Sequence, residues 1–358
     1  MNPWHSLVLG IVQGVTEFLP ISSSGHLVLV PWLLGWPAHR LTYDVALHMG
    51  TLGALLAYFW RDWWRLIAAW LPKRGDAGAR RRAGAETRRG VETWRQRDAE
   101  TRRRGDAAIR GREGPVIGDP KPAVRGPAAE AGEAVEGGGD GGRGGNDGGE
   151  ELVEEVVEAA RTKREERALE RRLGLSIVIA TVPAALIGAL VAERVEQALR
   201  LPALIGVLTV VAAVLLAAAD RAGLQRFGLE AVGYSHAVIV GLAQALALAP
   251  GVSRSGVTLA AALFLGLTRE AAARFAFLMA APITAGAGLF QLRHLIRSGL
   301  APDEQLAFAI GVVTSFLVGV LSIGWLLRYL RTRSLDVFIA YRVGLGLLVL
   351  LVAALQLR

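Results

Sequence analysis

The feature that most constrains this chain is a series of apolar stretches of two kinds, long and unbroken or short and interrupted. A hydrocarbon core about 30 Å thick takes about 20 apolar residues in a helix. The stretches 42–60, 174–192, 202–219, 304–327 and 336–357 approach or meet that length, and 270–290 joins them with Arg269, Glu270 and Arg274 at its mouth. Four others, 5–19, 26–36, 236–249 and 256–267, are short and broken by Pro, Gly and Ser. Lipid cannot satisfy free backbone groups, so irregular chain at membrane depth survives only inside protein or around a wet cavity. The expected fold is therefore an all-α polytopic membrane protein, with six transmembrane helices and two re-entrant, broken helix hairpins. The breaks are where a site is to be sought.

Charge must be segregated in such a chain, because 52% of the 358 residues are hydrophobic while 40 are Lys or Arg and 32 are Asp or Glu. The charge concentrates between Lys73 and Arg172, in runs such as EGGGDGGRGGNDGG that are too polar and Gly-rich to bury a core. That insert is expected to be mostly a disordered spacer as far as about Gly149. From Glu150 to Arg172, good helix formers with Glu-to-Arg spacings of four predict a solvated helix leading into the next span. The net charge of +8 is no signature of nucleic-acid binding, since the insert's basic and acidic residues nearly balance. Cysteine is absent, which excludes disulfides and thiolate metal sites. The N-terminal apolar stretch lacks a basic leader and a small-residue cleavage site and reads as mature protein.

The two broken regions resemble each other. GIVQGVTEFLPISSSG (10–25) and GLAQALALAPGVSRSG (241–256) share a Gly, a Gln three later, an apolar stretch, a Pro and a Ser-rich turn ending in Gly. Three spans follow each copy, and an odd number places the second copy upside down, an inverted repeat with broken helices meeting inside the membrane. The chain then divides into 1–72 (first hairpin and span), the insert 73–172, 173–220 (the rest of the first repeat) and 234–358 (the second repeat). Arg61 and Arg65 with the insert, Arg221 and Arg226, and Arg328, Arg331 and Arg333 fall on one side, which the positive-inside rule makes cytoplasmic.

Ionisable groups inside membrane segments are costly and mark function. Glu17, His26 and Arg254 stand out. Gln13 and Glu17, four apart, share a helix face, and Gly10 and Gly14 beside them let another helix come close. The helix breaks at Pro20, and Ser22, Ser23, Ser24, Gly25 and His26 open the next one. A Ser/Gly turn at a helix N-terminus offers amide and hydroxyl donors suited to phosphate oxygens. His26 beside it is fit to attack phosphorus or to act as acid or base. The second copy places Ser253, Arg254, Ser255 and Gly256 at the matching turn, where a guanidinium supplies paired donors to a phosphoryl group. Thr258 lies a helical turn beyond Arg254. Asp44 and His48, four apart at the start of the first full span, are candidates to line or support the site. His5, His39, His236 and His294 lie near segment ends and read as interfacial.

EFLPISSSGHL, TYDVALHMGT (42–51) and PGVSRSGVTLAAALFLGLTREAAARFAFLMAAP (250–282) resemble the bacterial undecaprenyl-diphosphate phosphatase family, also known as bacitracin-resistance proteins. The resemblance spans the chain except 73–172. It implies hydrolysis of the prenyl diphosphate to the monophosphate and inorganic phosphate, in the bacterial inner membrane; the loop charges above put both termini and the opening of the site at the outer face. It also implies a divalent cation, Mg2+ or Ca2+, and assigns Glu17, Ser23, His26 and Arg254 to catalysis, with Ser253 and Thr258 among the phosphate-binding residues. The family's acidic motif has Glu or Gln at its first position, here Gln13, so Glu17 is the only carboxylate of the pair. That is a sparse set for a hard cation, which is then expected to be held mainly by the diphosphate with Glu17 and Gln13 helping. Another group of lipid phosphatases follows Ser-Gly-His with Ser-Arg, five residues and a second His. Here Leu259 ends that interval and Ala260 stands where the second His would be.

Two further classes fit parts of the pattern: an anion or lipid-phosphate transporter, because inverted repeats of broken helices are transporter architecture, and a scaffold displaying the insert. The sequence leaves a homodimer open.

Overall fold

The computed structural model describes residues 2–37, 41–71, 147–199, 201–298 and 302–355, with isolated positions between 88 and 103. Two compact units emerge, one of Met1–Trp70 with Ala160–Arg358 and one of Leu71–Ala159. In the second, the expected disorder of 73–149 falls almost wholly outside the described residues.

The described elements are helical apart from a single bridge between Phe227 and Leu267. In chain order they are α1 (Pro3–Thr16), α2 (Ser23–Leu34), α3 (Leu41–Tyr58), α4 (Trp60–Ala68), α5 (Asp147–Leu199), α6 (Pro202–Ala222), α7 (Tyr234–Ala245), α8 (Arg254–Phe264), α9 (Arg269–Ser298), α10 (Pro302–Leu330) and α11 (Asp336–Ala354). Local chemistry sets several starts. Asn2 accepts from the Trp4 amide at 2.9 Å ahead of Pro3, and α6 opens on Pro202, since proline is pre-formed for a first helical turn. α5 takes in both the charged segment 150–172 and the expected span 174–192.

Five helices are long and apolar enough to cross a membrane: Val157–Val191, Pro202–Ala222, Arg269–Leu289, Glu304–Leu330 and Asp336–Ala354. α3, expected as a sixth, has 18 residues but is not among them, as it carries Asp44 and His48 in its first turns. α1, α2, α7 and α8, of 14, 12, 12 and 11 residues, rise at most about 21 Å at 1.5 Å per residue and fall short of a bilayer core.

Packing ties the halves together. α1 lies along α10, where a β-carbon on Gly10 would stand 2.8 Å from Thr314 Cβ and one on Gly14 2.7 Å from Val318 Cβ. Only glycine permits that approach. In the second half, α7 meets α5 through Gly241 against the Ala180 backbone. α6 and α11 pack through Gly206 and Gly346. The first half of α9, from Ala271 to Ala281, is buried on nearly every side, with Phe275, Leu278 and Met279 fully enclosed, as befits a helix at the centre of a membrane protein. At one end of this unit, ion pairs join Asp62 to Arg274 (3.1 Å), Asp220 to Arg269 (2.6 Å), Glu270 to Arg331 (3.0 Å) and Arg221 to Asp336 (3.6 Å). The arginines at 221 and 331, placed on one side by loop reading, do share an end.

Candidate active site between two serine-capped turns

Two helix N-termini, those of α2 and α8, are built alike. Ser22 and Ser253 both adopt a positive φ, 77° and 73°, a conformation costly for a residue with a side chain. Each hydroxyl accepts from the glycine amide three residues on, Ser22 from Gly25 at 3.4 Å and Ser253 from Gly256 at 3.1 Å. These are N-cap bonds, so the Gly25 and Gly256 amides, expected to face a phosphate, are already engaged. The first-turn amides of Ser23, Ser24, Arg254 and Ser255 have no acceptor within their own helices.

The turns touch. Ser255 Oγ donates to the Leu19 carbonyl at 3.0 Å. Gly251, at φ +94°, is pressed against the Ile205 carbonyl, where a β-carbon would come within 2.7 Å. Between them lies a residue the sequence reading passed over, Arg342 of α11, fully buried. Its guanidinium donates to Pro20 O (3.0 Å), Gly251 O (2.9 Å), Val252 O (3.0 Å) and Thr209 O (3.3 Å). It thus clasps carbonyls of both turns and of α6. An arginine inside an apolar span was itself a signal.

Glu17, just past α1, is the electrostatic centre. Its Oε2 accepts from Ser23 Oγ (2.6 Å) and Gln13 Nε2 (3.0 Å) and lies 3.5 Å from His48 Nε2. Its Oε1 pairs with Arg254, whose other terminal nitrogen donates to Thr284 Oγ1 of α9 at 2.9 Å. Carboxylate and guanidinium thus come from different turns. Ser23, Ser24, Ser253 and Arg254, with Asp44 and His48, line a cavity of about 360 Å³ whose apolar wall includes Ala184, Leu248 and Ile283. His48, held through Nδ1 by the Asp44 carbonyl at 2.7 Å, belongs to the cavity itself.

Glu17 and Gln13 lie just behind this lining, Glu17 touching it through Ser23, His48 and Arg254, and other expected site residues also stand back from it. His26 Nδ1 is 2.6 Å from the Ser22 carbonyl and Nε2 is 2.7 Å from the Tyr341 hydroxyl. A carbonyl only accepts, so Nδ1 carries the proton and, in neutral imidazole, Nε2 accepts from Tyr341. His26 is buried behind the turn and does not line the cavity. Thr258 bonds back to the Arg254 carbonyl at 2.7 Å and, with Ser22, Gly25, Ser255 and Gly256, frames the turns rather than lining the cavity. Among the described residues, no group of three or more His, Asp and Glu side chains is placed to hold a metal ion. Glu17 is already taken up by a guanidinium and two donors, and Gln13 Oε1 is the one buried oxygen beside it with no partner. These donors do not form a protein cage for Mg2+ or Ca2+.

Fold and site together define a multi-pass membrane protein with a cleft, lined by serines and an arginine, where two helix N-termini meet. A match to the family bacitracin resistance protein BacA covers residues 6–90 and 150–348, and the chain belongs to that family. Proteins named undecaprenyl-diphosphatase in Desulforudis audaxviator, Thermomicrobium roseum and Geotalea daltonii are 37%, 36% and 35% identical to it. The alignments cover 99%, 99% and 98% of this chain and 100%, 99% and 98% of theirs.

Proposed function

We propose that the chain is an undecaprenyl-diphosphatase, hydrolysing the lipid diphosphate to the monophosphate and inorganic phosphate and so recycling the carrier lipid of cell-wall synthesis. The observation that carries this is the pairing of Arg254 with Glu17 at a cavity lined by Ser23 and Ser253. Arg254, the two serines and the first-turn amides receive the terminal phosphate and the charge it gains. As the phosphate draws Arg254 to itself, Glu17 Oε1 is released to act as a base. Water attacks the terminal phosphorus, its proton passes to Glu17, the new P–O bond forms, and the bridging P–O bond breaks with its electron pair leaving on the prenyl monophosphate.

Both roles expected of His26, attack on phosphorus and proton shuttling, need Nε2, which sits on Tyr341. We therefore assign His26 to holding the Ser22 turn, so no phosphohistidine accumulates. The oxygen donors around Glu17 are too few to hold Mg2+ or Ca2+ by themselves, so a divalent cation would be held chiefly by the diphosphate with Glu17 and Gln13 helping, and would neutralise charge on the leaving phosphate.

In this reading α1–α2 and α7–α8 are the two re-entrant hairpins and α3 completes six spans as an inverted repeat, supported by the short hairpin helices and the α1–α10 and α7–α5 packing. The arginine-rich end and the insert face the cytoplasm of a bacterial inner membrane, and the site opens outward. Single cysteines introduced into this cysteine-free chain report that sidedness through impermeant labelling. The deciding assay is phosphate release from a prenyl diphosphate in detergent, where no gradient exists. Wild type releases phosphate and Glu17→Ala and Arg254→Ala do not. If wild type were silent too, a transporter or a scaffold would take the enzyme's place.

A further inference from the structure

Gln244 of α7 is 2% exposed and lines the same cavity, yet neither its Oε1 nor its Nε2 has a partner. A buried primary amide left wholly unpaired is costly, and in native proteins it calls for an explanation such as a ligand. The two copies of the motif supply one. Gln244 stands 231 residues after Gln13, the same interval that separates Ser253 from Ser22. Gln13 spends its Nε2 on Glu17, four residues on. Four residues after Gln244 the chain carries Leu248, so the second amide keeps the burial and lacks the acceptor.

Its place in the cavity says which acceptor fits. α5 runs alongside α7: Gly241 lies against Ala180, and a β-carbon on Gly188 would be 3.6 Å from Leu248 Cδ2. Those contacts bracket Gln244 at the level of Ala184, which with Ala247 and Leu248 belongs to the cavity lining. The amide thus sits on the apolar wall, while Ser23, Ser24, Ser253 and Arg254 form the polar one. A diphosphate whose terminal phosphate rests on Arg254 and whose hydrocarbon lies along Ala184, Ala247 and Leu248 would bring its other phosphate to Gln244.

We propose that Gln244 is a substrate-binding residue whose Nε2 donates to a phosphoryl oxygen of the prenyl-linked phosphate. This rests on the phosphatase reading above and adds a subsite to it. The prenyl-linked phosphate is present in substrate and in lipid product and absent from inorganic phosphate. Most of this phosphate's charge is present before the bridging bond breaks, so loss of a donor to a non-bridging oxygen acts chiefly on KM and only modestly on kcat.

The test is steady-state kinetics of the full chain in detergent with a prenyl diphosphate, with prenyl monophosphate and inorganic phosphate as inhibitors. Gln244→Met keeps the length and removes the hydrogen bonds. KM is expected to rise about tenfold with kcat within about threefold, and inhibition by prenyl monophosphate to weaken about tenfold while inhibition by inorganic phosphate stays put. Gln244→Glu, with a carboxylate facing the phosphate, is expected to weaken both lipid affinities further, and it carries the same comparison alone if the methionine variant does not accumulate. Unchanged lipid affinities, a fall in kcat at constant KM, or equal weakening of both inhibitors would each overturn the assignment. Active wild type with indifferent Gln244 variants sinks this proposal alone; inactive wild type sinks the phosphatase reading and this proposal with it.

Discussion

The two serine-capped turns share a backbone and differ in equipment. Position for position, Gln13 matches Gln244, Ser22 matches Ser253 and Gly25 matches Gly256, with the same left-handed cap in both. Yet Leu248 takes the position of Glu17, Arg254 that of Ser23 and Val257 that of His26. One turn holds the carboxylate and the other the guanidinium, and the ion pair forms across the join. The two hairpins share one frame, and the differences within it put a carboxylate on one side and a guanidinium on the other. Neither half is a site alone.

The largest expected effect comes from erasing that difference. Glu17→Ala or Arg254→Ala should each lower kcat/KM by about a thousandfold or more in detergent, and Arg254→Lys by about a hundredfold, because a point charge replaces a planar fork. The double variant should lose little more than either single one, since the two act as a unit; strictly additive losses would break the comparison. Next comes the clasp. Arg342→Met removes the guanidinium from four carbonyls, of which Gly251 O keeps Thr209 Oγ1 at 3.4 Å, and at about 1–3 kcal/mol for each group left unpaired it should lower stability by about 3 kcal/mol, read by unfolding in detergent.

His26 gives a smaller and more diagnostic effect. If it holds the Ser22 carbonyl, His26→Asn, which can keep a donor near the Nδ1 position, should retain about tenfold more activity than His26→Ala. Equal losses, or phosphohistidine trapped in acid-quenched enzyme, would give His26 the chemistry instead. Leu248→Glu hands the second copy the first copy's carboxylate, and repulsion of the diphosphate should raise KM about tenfold. The smallest effect is expected from deleting 75–149, which should leave phosphate release within about twofold in protein that folds.

The breaks, the repeat and the chemistry-bearing pair Glu17 and Arg254 were legible because each is written locally, in interrupted hydrophobicity or in a carboxylate and a guanidinium where lipid tolerates neither. What escaped was set by tertiary proximity. Tyr341, Arg342 and Thr284 sit in spans whose apolar pattern reads as lipid-facing or packing, and nothing in their spacing says that they end beside residues of the first two hairpins. His26 is legible in part: the motif puts an imidazole next to the Ser22 turn, as the structure does, while the contact of its Nε2 with Tyr341 depends on a span 315 residues away. The amides of Gly25 and Gly256, open donors by sequence, are used by the serine caps three residues before them.

Arg342 also bears on how the molecule is made. Its acceptors lie at Pro20, Thr209, Gly251 and Val252, the first of them 322 residues earlier in the chain. A ribosome delivers the opening hairpin near the start and its clasp near the end, so through nearly the whole of synthesis the Pro20 carbonyl has to be served by lipid headgroups, water or a helper protein. Chains that stop before α11 would carry both turns and lack the fastening between them.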